Sequence, residues 1–219
     1  MFTKEDKMKE YHKIQTVFKR DPETRHKTLL FGEFSMPEFE YLQHNLWVFT
    51  EKVDGTNIRV MFDGENITFG GKTDKAQIPA FLVNRLNDLF LPQLEAFKEN
   101  FPDGVCLYGE GYGAKIQKGG GNYKPDGQDF VLFDVKVGEW WLKREDVESI
   151  ANTFSIDIVP IIGKESLWDM IYIVKNGFKS TWGDFEAEGI VARPMLELKA
   201  RNGERIITKL KSRDFNSGK

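Results

Sequence analysis

Cysteine is all but absent from this 219-residue chain: Cys106 stands alone, so no disulfide can form within it. That suits a reducing compartment, the cytoplasm being the expected one. With only three histidines beside the single thiol, a structural zinc site is not expected. No apolar run is long enough to span a bilayer, so no membrane partner is expected. The opening "MFTKEDKMKEYHK" is too charged for a secretory signal. Without secretion, the "NIT" at Asn66 is a chance match to a glycosylation acceptor. Nor is there a charge excess of one sign. The 31 Lys and Arg against 34 Asp and Glu leave a net charge of -3, which excludes holding nucleic acid by bulk charge. It leaves room for a local basic groove, since basic residues can be unevenly distributed. Repeats and low-complexity tracts are absent as well.

What is present is a core. Hydrophobic residues make up 40% of the chain, with 18 Phe and 5 Trp, enough for one large folded domain rather than a disordered chain. In "SMPEFEYLQH", Ser35 and Glu38 read as a capping box, with Pro37 in the first helical turn. Residues 46–53, 57–62 and 66–70 read as strands, the last two joined by the "DGE" hairpin signal. "IPAFLVNRLNDLFLPQLEAF" has helical spacing that Pro92 should split. Strand-like "VCLYGE" precedes a Gly-rich stretch, then strand-like "DFVLFDVKV" and its hairpin arm "VGEWWL". "REDVESIANTF" and "ESLWDMIYIVKNG" read as helices, the second stopped by Gly177. "EGIVAR" and "RIITKLK" close the chain as strands, and the first 30 residues stay open between helix and strand. Hairpins with interspersed helices argue for an α+β fold with mainly antiparallel sheets, as one domain over 1–219.

The chemistry begins at "TEKVDGTNIRV". Lys52, costly to desolvate, stands at a strand end beside Asp54 and Asn57. Taken alone, Lys-x-Asp-Gly is also what a solvated lysine before a turn looks like. "GGKT" at 70–73 is not a phosphate-binding loop, because Asn66 stands where that motif needs glycine. "GEGYG" lacks the glycine spacing of a dinucleotide fingerprint. More informative is an order of short motifs: Lys52, then Glu110 in "LYGEGYG", Phe133 in "FVLFDV", Glu188 in "EGIVARP", and Lys209 with Lys211 in "ITKLKSRDF". Each has a bland reading, as strand-end carboxylate, core phenylalanine, turn residue or edge-strand lysine. Five in this order are hard to leave to chance.

In these motifs the chain resembles the covalent nucleotidyltransferases: ATP-dependent RNA and DNA ligases and mRNA capping enzymes. "EKVDGTN", "GGKTDKAQIP", "GEGYGAKIQK" and "RNGERIITKLKSRDF" look most like RNA ligases of the phage T4 RNA ligase 2 type. The resemblance runs from about residue 47 to 215. It implies a nucleotidyltransferase (ATP-grasp-like) fold around an ATP cleft, and a bacterial or phage-infected cell. It implies a ligase joining 5′-phosphate and 3′-hydroxyl RNA ends through lysyl-AMP and AMP-RNA, with ATP and Mg²⁺, or Mn²⁺, as cofactors. Lys52 would be the nucleophile, and Lys209 and Lys211 would meet the triphosphate. Glu110 and Glu188 would meet ribose and metal, and Phe133 would stack on adenine. Glu51 would read the adenine edge, Asp54 and Asn57 would orient phosphates, and Lys72 and Arg193 would contact phosphate and substrate. Most of Trp140, Trp141, Trp168 and Trp182 read better as core than as base-stacking residues, and the "KGGGNYK" loop as a flap or a solvated turn. Two departures stand out: the family often has arginine at the position of Lys72, and the chain stops soon after Lys-x-Lys, where larger relatives carry a C-terminal domain. A minimal DNA ligase, a guanylyltransferase and an inactive RNA-end-binding relative remain the alternatives.

Overall fold

A computed structural model describes residues 10–215. The chain runs β1 (Gln15–Thr16), β2 (Phe18–Arg20), β3 (Leu29–Phe34), α1 (Pro37–Leu42) and β4 (Trp47–Glu51). It continues through β5 (Thr56–Phe62), β6 (Ile67–Gly70), α2 (Ala80–Phe90), α3 (Leu94–Asn100), β7 (Val105–Gly113) and α4 (Gly120–Tyr123). Then come β8 (Gln128–Val137), β9 (Trp140–Trp141), α5 (Arg144–Thr153), β10 (Asp157–Ile158) and β11 (Ile161–Glu165). The chain closes with α6 (Leu167–Asn176), β12 (Gly189–Pro194) and β13 (Thr208–Lys211). No described helix is long and apolar enough to cross a membrane. Contacts divide the described residues into two compact units, 10–12 with 54–159, and 13–53 with 160–215.

The first unit is built on the strand order β10-β8-β7-β5-β6, with β9 paired to β8. Strand alternation explains its two faces. In β5, Ile58, Val60 and Phe62 are fully buried in a core with Val105, Leu107, Leu132 and the helix residues Leu86, Phe90, Phe97 and Val147. Asn57, Arg59 and Met61 alternate with them and stand on the opposite face. The hairpin between β5 and β6 is fixed by Asp63, whose Oδ1 accepts from the backbone N–H of Asn66 and Glu65 at 2.7 and 2.9 Å. Those bonds hold its carboxyl below the usual carboxylate range.

The second unit carries the order β1-β13-β12-β4-β11, with the β2–β3 ribbon beside it in sequence. Trp47, Phe49, Ile190, Ala192 and Leu210 project from one sheet face onto Leu167, Met170, Ile171 and Val174 of α6. That helix starts at a Ser166–Asp169 capping box and stops at Gly177, whose φ of 77° suits glycine. Around α1 the expected cap differs. Met36 holds the cap position, and the Ser35 hydroxyl donates to the Thr16 carbonyl at 2.5 Å instead. Tertiary contact outcompetes the local box here. The ambiguous N-terminal stretch forms β1 to β3 from residue 15 onward, and its first nine residues lie outside those described.

Cys106, 3% exposed on β7, is desolvated, and this pushes its thiol up to about 12. Only the thiolate is a nucleophile. Alkylation of the native protein at pH 8 should therefore be slow and should become rapid only on unfolding; prompt labelling of the native protein would contradict this burial.

Candidate active site

In the second unit, three neighbouring strands bring the charged residues of the closing motifs together. Antiparallel pairing of β12 with both β4 and β13 sets Ile190 opposite Glu51 and Leu210, and Gly189 opposite Lys211. Just beyond β4, the Lys52 N–H donates to the Gly189 carbonyl at 2.9 Å; just beyond β13, the Ser212 N–H donates to the Glu188 carbonyl at 2.9 Å. The Glu188–Gly189 pair is thus held from both sides by backbone. Its carboxylate lies between two ammoniums: Lys52 Nζ donates to Oε2 at 2.6 Å and Lys211 Nζ to Oε1 at 2.5 Å. All three side chains are less than one fifth exposed, where charge attraction is screened far less than at the surface.

Lys209 shares the Lys211 face of β13, because Thr208 and Leu210 between them are buried on the other. Arg193 lies on β12 with Val191, whose cross-strand partner is Lys209. Glu51, expected at an adenine edge, shares the face of Trp47 and Phe49 and is 1% exposed. Its carboxylate accepts from the Ser180 hydroxyl at 2.5 Å and from the Thr181 N–H and hydroxyl at 2.9 Å each. It anchors the 180–181 segment.

The first unit gathers the other set. Asn57 and Glu110 are cross-strand partners on the face opposite the core. Asn57 Oδ1 is buried with no hydrogen-bond partner among the described residues, an acceptor left for a ligand. Gly55 is required where it stands: a Cβ there would sit 2.3 Å from the Gly111 carbonyl and 2.7 Å from Glu110 Cγ. Asp54 Oδ2 accepts from the Gly119 N–H at 3.0 Å, so the "KGGGNYK" segment is tied to the Lys-x-Asp-Gly turn rather than being a free flap.

Phe133 occupies a β-bulge. Tyr108 pairs with Asp134 and Gly109 with Leu132, which leaves Phe133 out of register. A bulge re-aims side chains, and here Phe133 and Asp134 both meet Tyr11. The Phe133 and Tyr11 rings lie edge to face at 5.1 Å, and the Tyr11 hydroxyl donates to Asp134 at 2.8 Å. Burial raises the Tyr108 hydroxyl well above its ordinary range beside this group. Trp141 packs into the same cluster and Trp168 against the second unit's core, while Trp140 is 76% exposed.

Lys72 is exposed on a loop organised by a residue the sequence reading passed over. Arg59 is 1% exposed; its Nε donates to the Gly71 carbonyl at 2.9 Å and its guanidinium to Asp74 at 2.8 Å. The signal was available, as an arginine within the apolar alternation of "NIRVMF". Among the described residues, no three His, Cys, Asp or Glu side chains cluster to hold a metal. A hard cation held by one or two carboxylates plus substrate phosphates needs no such cluster.

Residues 45–211 match the RNA ligase family, well over half of the chain, and the protein belongs to that family. Its structure is similar to that of Naegleria gruberi RNA ligase with PPi, with a TM-score of 0.64 at 20% identity, covering 91% of this chain and 54% of that one. A lysine-to-alanine mutant of that ligase with ATP and Mn matches at 0.62 and 20% identity, covering 80% and 51%. A lysine-to-methionine mutant with AMP and Mn matches at 0.63 and 18% identity, covering 90% and 56%. At such identities the likeness is one of fold: a mixed α/β, antiparallel-rich nucleotidyltransferase fold, as anticipated. The chain spans about half the length of these ligases.

If Glu188 couples the two lysines, a double-mutant cycle of Glu188→Gln and Lys211→Met should give a coupling of about 1 kcal/mol or more in urea unfolding. Additive effects would show that the contact contributes nothing to stability.

Proposed function

We propose that this chain is an ATP-dependent RNA ligase of the phage T4 RNA ligase 2 type, its 219 residues acting as one adenylation domain. The observation that carries the proposal is the Lys52–Glu188–Lys211 contact, which brings the motif lysine to a fixed carboxylate and a second cation. Lys52 Nζ attacks the α-phosphorus of ATP. A P–N bond forms, the bond to the β-phosphate oxygen breaks, and pyrophosphate leaves. An amine attacks only after losing a proton, and nearby cations such as Lys211 and a bound metal would favour its neutral form. A 5′-phosphate RNA end then takes the AMP, which frees Lys52. The 3′-hydroxyl of a second end displaces AMP and forms the phosphodiester.

Lys209 and Lys211 offset charge on the phosphoryl oxygens and departing pyrophosphate. Phe133 stacks on adenine, where contact is tolerant of base identity. Glu110 meets ribose, while Asp54, Asn57, Lys72 and Arg193 serve the phosphate and RNA-end side. Glu110 and Glu188 would hold Mg²⁺ or Mn²⁺, which neutralises charge on phosphate oxygens when bound. Support for RNA over DNA comes from the family match and from the "KVDGTN" and "KTDKAQIP" signatures. A cytoplasmic setting in a bacterial or phage-infected cell belongs to the same reading.

The test is denaturing-gel labelling with α-labelled ATP or GTP, followed by nicked RNA and nicked DNA. ATP should label the wild type, Lys52→Ala should take no label, and Lys209→Ala or Lys211→Ala should slow labelling by about tenfold or more. Nicked RNA should be sealed in preference to nicked DNA. An unlabelled wild type would favour the inactive end-binding reading, and a labelled Lys52→Ala variant would move the nucleophile elsewhere.

A further inference from the structure

The second unit holds a cavity of about 1090 Å³ whose lining is far more basic than the chain. Lys13, Lys19, Arg20 and Lys27 enter from the N-terminal strands and their turn, and Lys209, Lys211 and Arg213 from the closing strand and the residues after it. The lining holds one carboxylate, Asp214, while two of the seven cations meet carboxylates outside it, Lys211 with Glu188 and Lys19 with Glu33 at 3.5 Å. Asp214 is 8% exposed and accepts from Arg20 at 2.8 Å and from the Lys211 N–H at 3.1 Å, so it is already engaged. In a chain of net charge -3, such a lining is the local basic groove that composition alone leaves open.

The walls are fixed rather than loose. β1 pairs with β13 in parallel, Gln15 opposite Thr208 and Thr16 opposite Lys209. The Val17 N–H donates to the Lys209 carbonyl, and the Ser35 N–H to the Val17 carbonyl. The turn bearing His26 and Lys27 is closed by His26 N–H to the Asp21 carbonyl at 2.9 Å, and Arg20 also donates to the His26 and Lys27 carbonyls. Backbone bonds therefore hold the N-terminal cations beside the strand that carries Lys209 and Lys211.

We infer that this cavity is a phosphodiester-binding groove in which the N-terminal ribbon holds backbone phosphates of the RNA strand. The inference rests on the ligase reading for the identity of the polyanion. The other source of phosphate is the triphosphate tail of ATP. The cavity, at the upper end of small-ligand pocket volumes, is larger than a pyrophosphate needs, and its cations continue away from Lys209 and Lys211 to Lys19 and Lys27.

The test measures equilibrium binding of a labelled single-stranded RNA without ATP, across a salt series, for Lys19→Glu/Lys27→Glu. A Lys98→Glu/Lys164→Glu control makes the same charge change outside the cavity. The first pair should weaken binding at least tenfold and lower the log–log salt slope by about 1.4, for two lost phosphate contacts on a single strand. The milder Lys19→Gln/Lys27→Gln pair, checked for folding by its thermal melt, should show the same slope change. Equal weakening by the control pair, or an unchanged slope, would overturn the groove. Retained RNA affinity with slower labelling by α-labelled ATP would assign the cavity to the nucleotide instead. Because RNA binding is read without ATP, a wild type that binds RNA but takes no label would sink the ligase reading and leave the groove standing.

Discussion

One carboxylate between two ammoniums is the constraint on which the second unit's chemistry depends. Glu188 lies where three strands converge, and each of its partners comes from a different one. An unpaired ammonium in such a place would be costly, because partial burial strips it of water. Glu188 makes the burial tolerable for both lysines at once. It also fixes where the Lys52 amine lies, since the lysine stem is flexible and its backbone alone would not.

The rest of the unit serves that geometry. Trp47, Phe49, Ile190 and Leu210 pin the same three strands onto α6 from the opposite face. Fully burying side chains of this size is worth about 1.5–3 kcal/mol each, so a register slip in any strand would be expensive. Glu51 adds a polar clamp within that face through Ser180 and Thr181. In the first unit the same logic recurs: helices cover one sheet face, and the other is left to Asn57, Arg59, Glu110 and Asp134.

Much of this was legible in the sequence. Strand periodicity, the Pro92 break and the Gly177 stop all appear as read, because each is a local signal with a local cause. The same-face pairing of Lys209 and Lys211 followed from period two. What escaped was decided at long range. Ser35 gave up its cap role to a carbonyl nineteen residues away. β10 and β11 went unread, and β11 owes its pairing to β4, more than a hundred residues back. The Phe133 bulge depends on a register shift against β7 that no single strand records. The basic cavity joins residues 13–27 to 209–213, a juxtaposition that only the parallel β1–β13 pair creates.

The central claim is that, of the two amines held at Glu188, that of Lys52 takes the nucleotide. Peptide mapping by mass spectrometry, after incubation with ATP and Mg²⁺, tests it most directly. The account expects AMP on the peptide that contains Lys52 and on no other. AMP found instead on the peptide of Lys209 and Lys211, or on a lysine of the N-terminal ribbon, would contradict it.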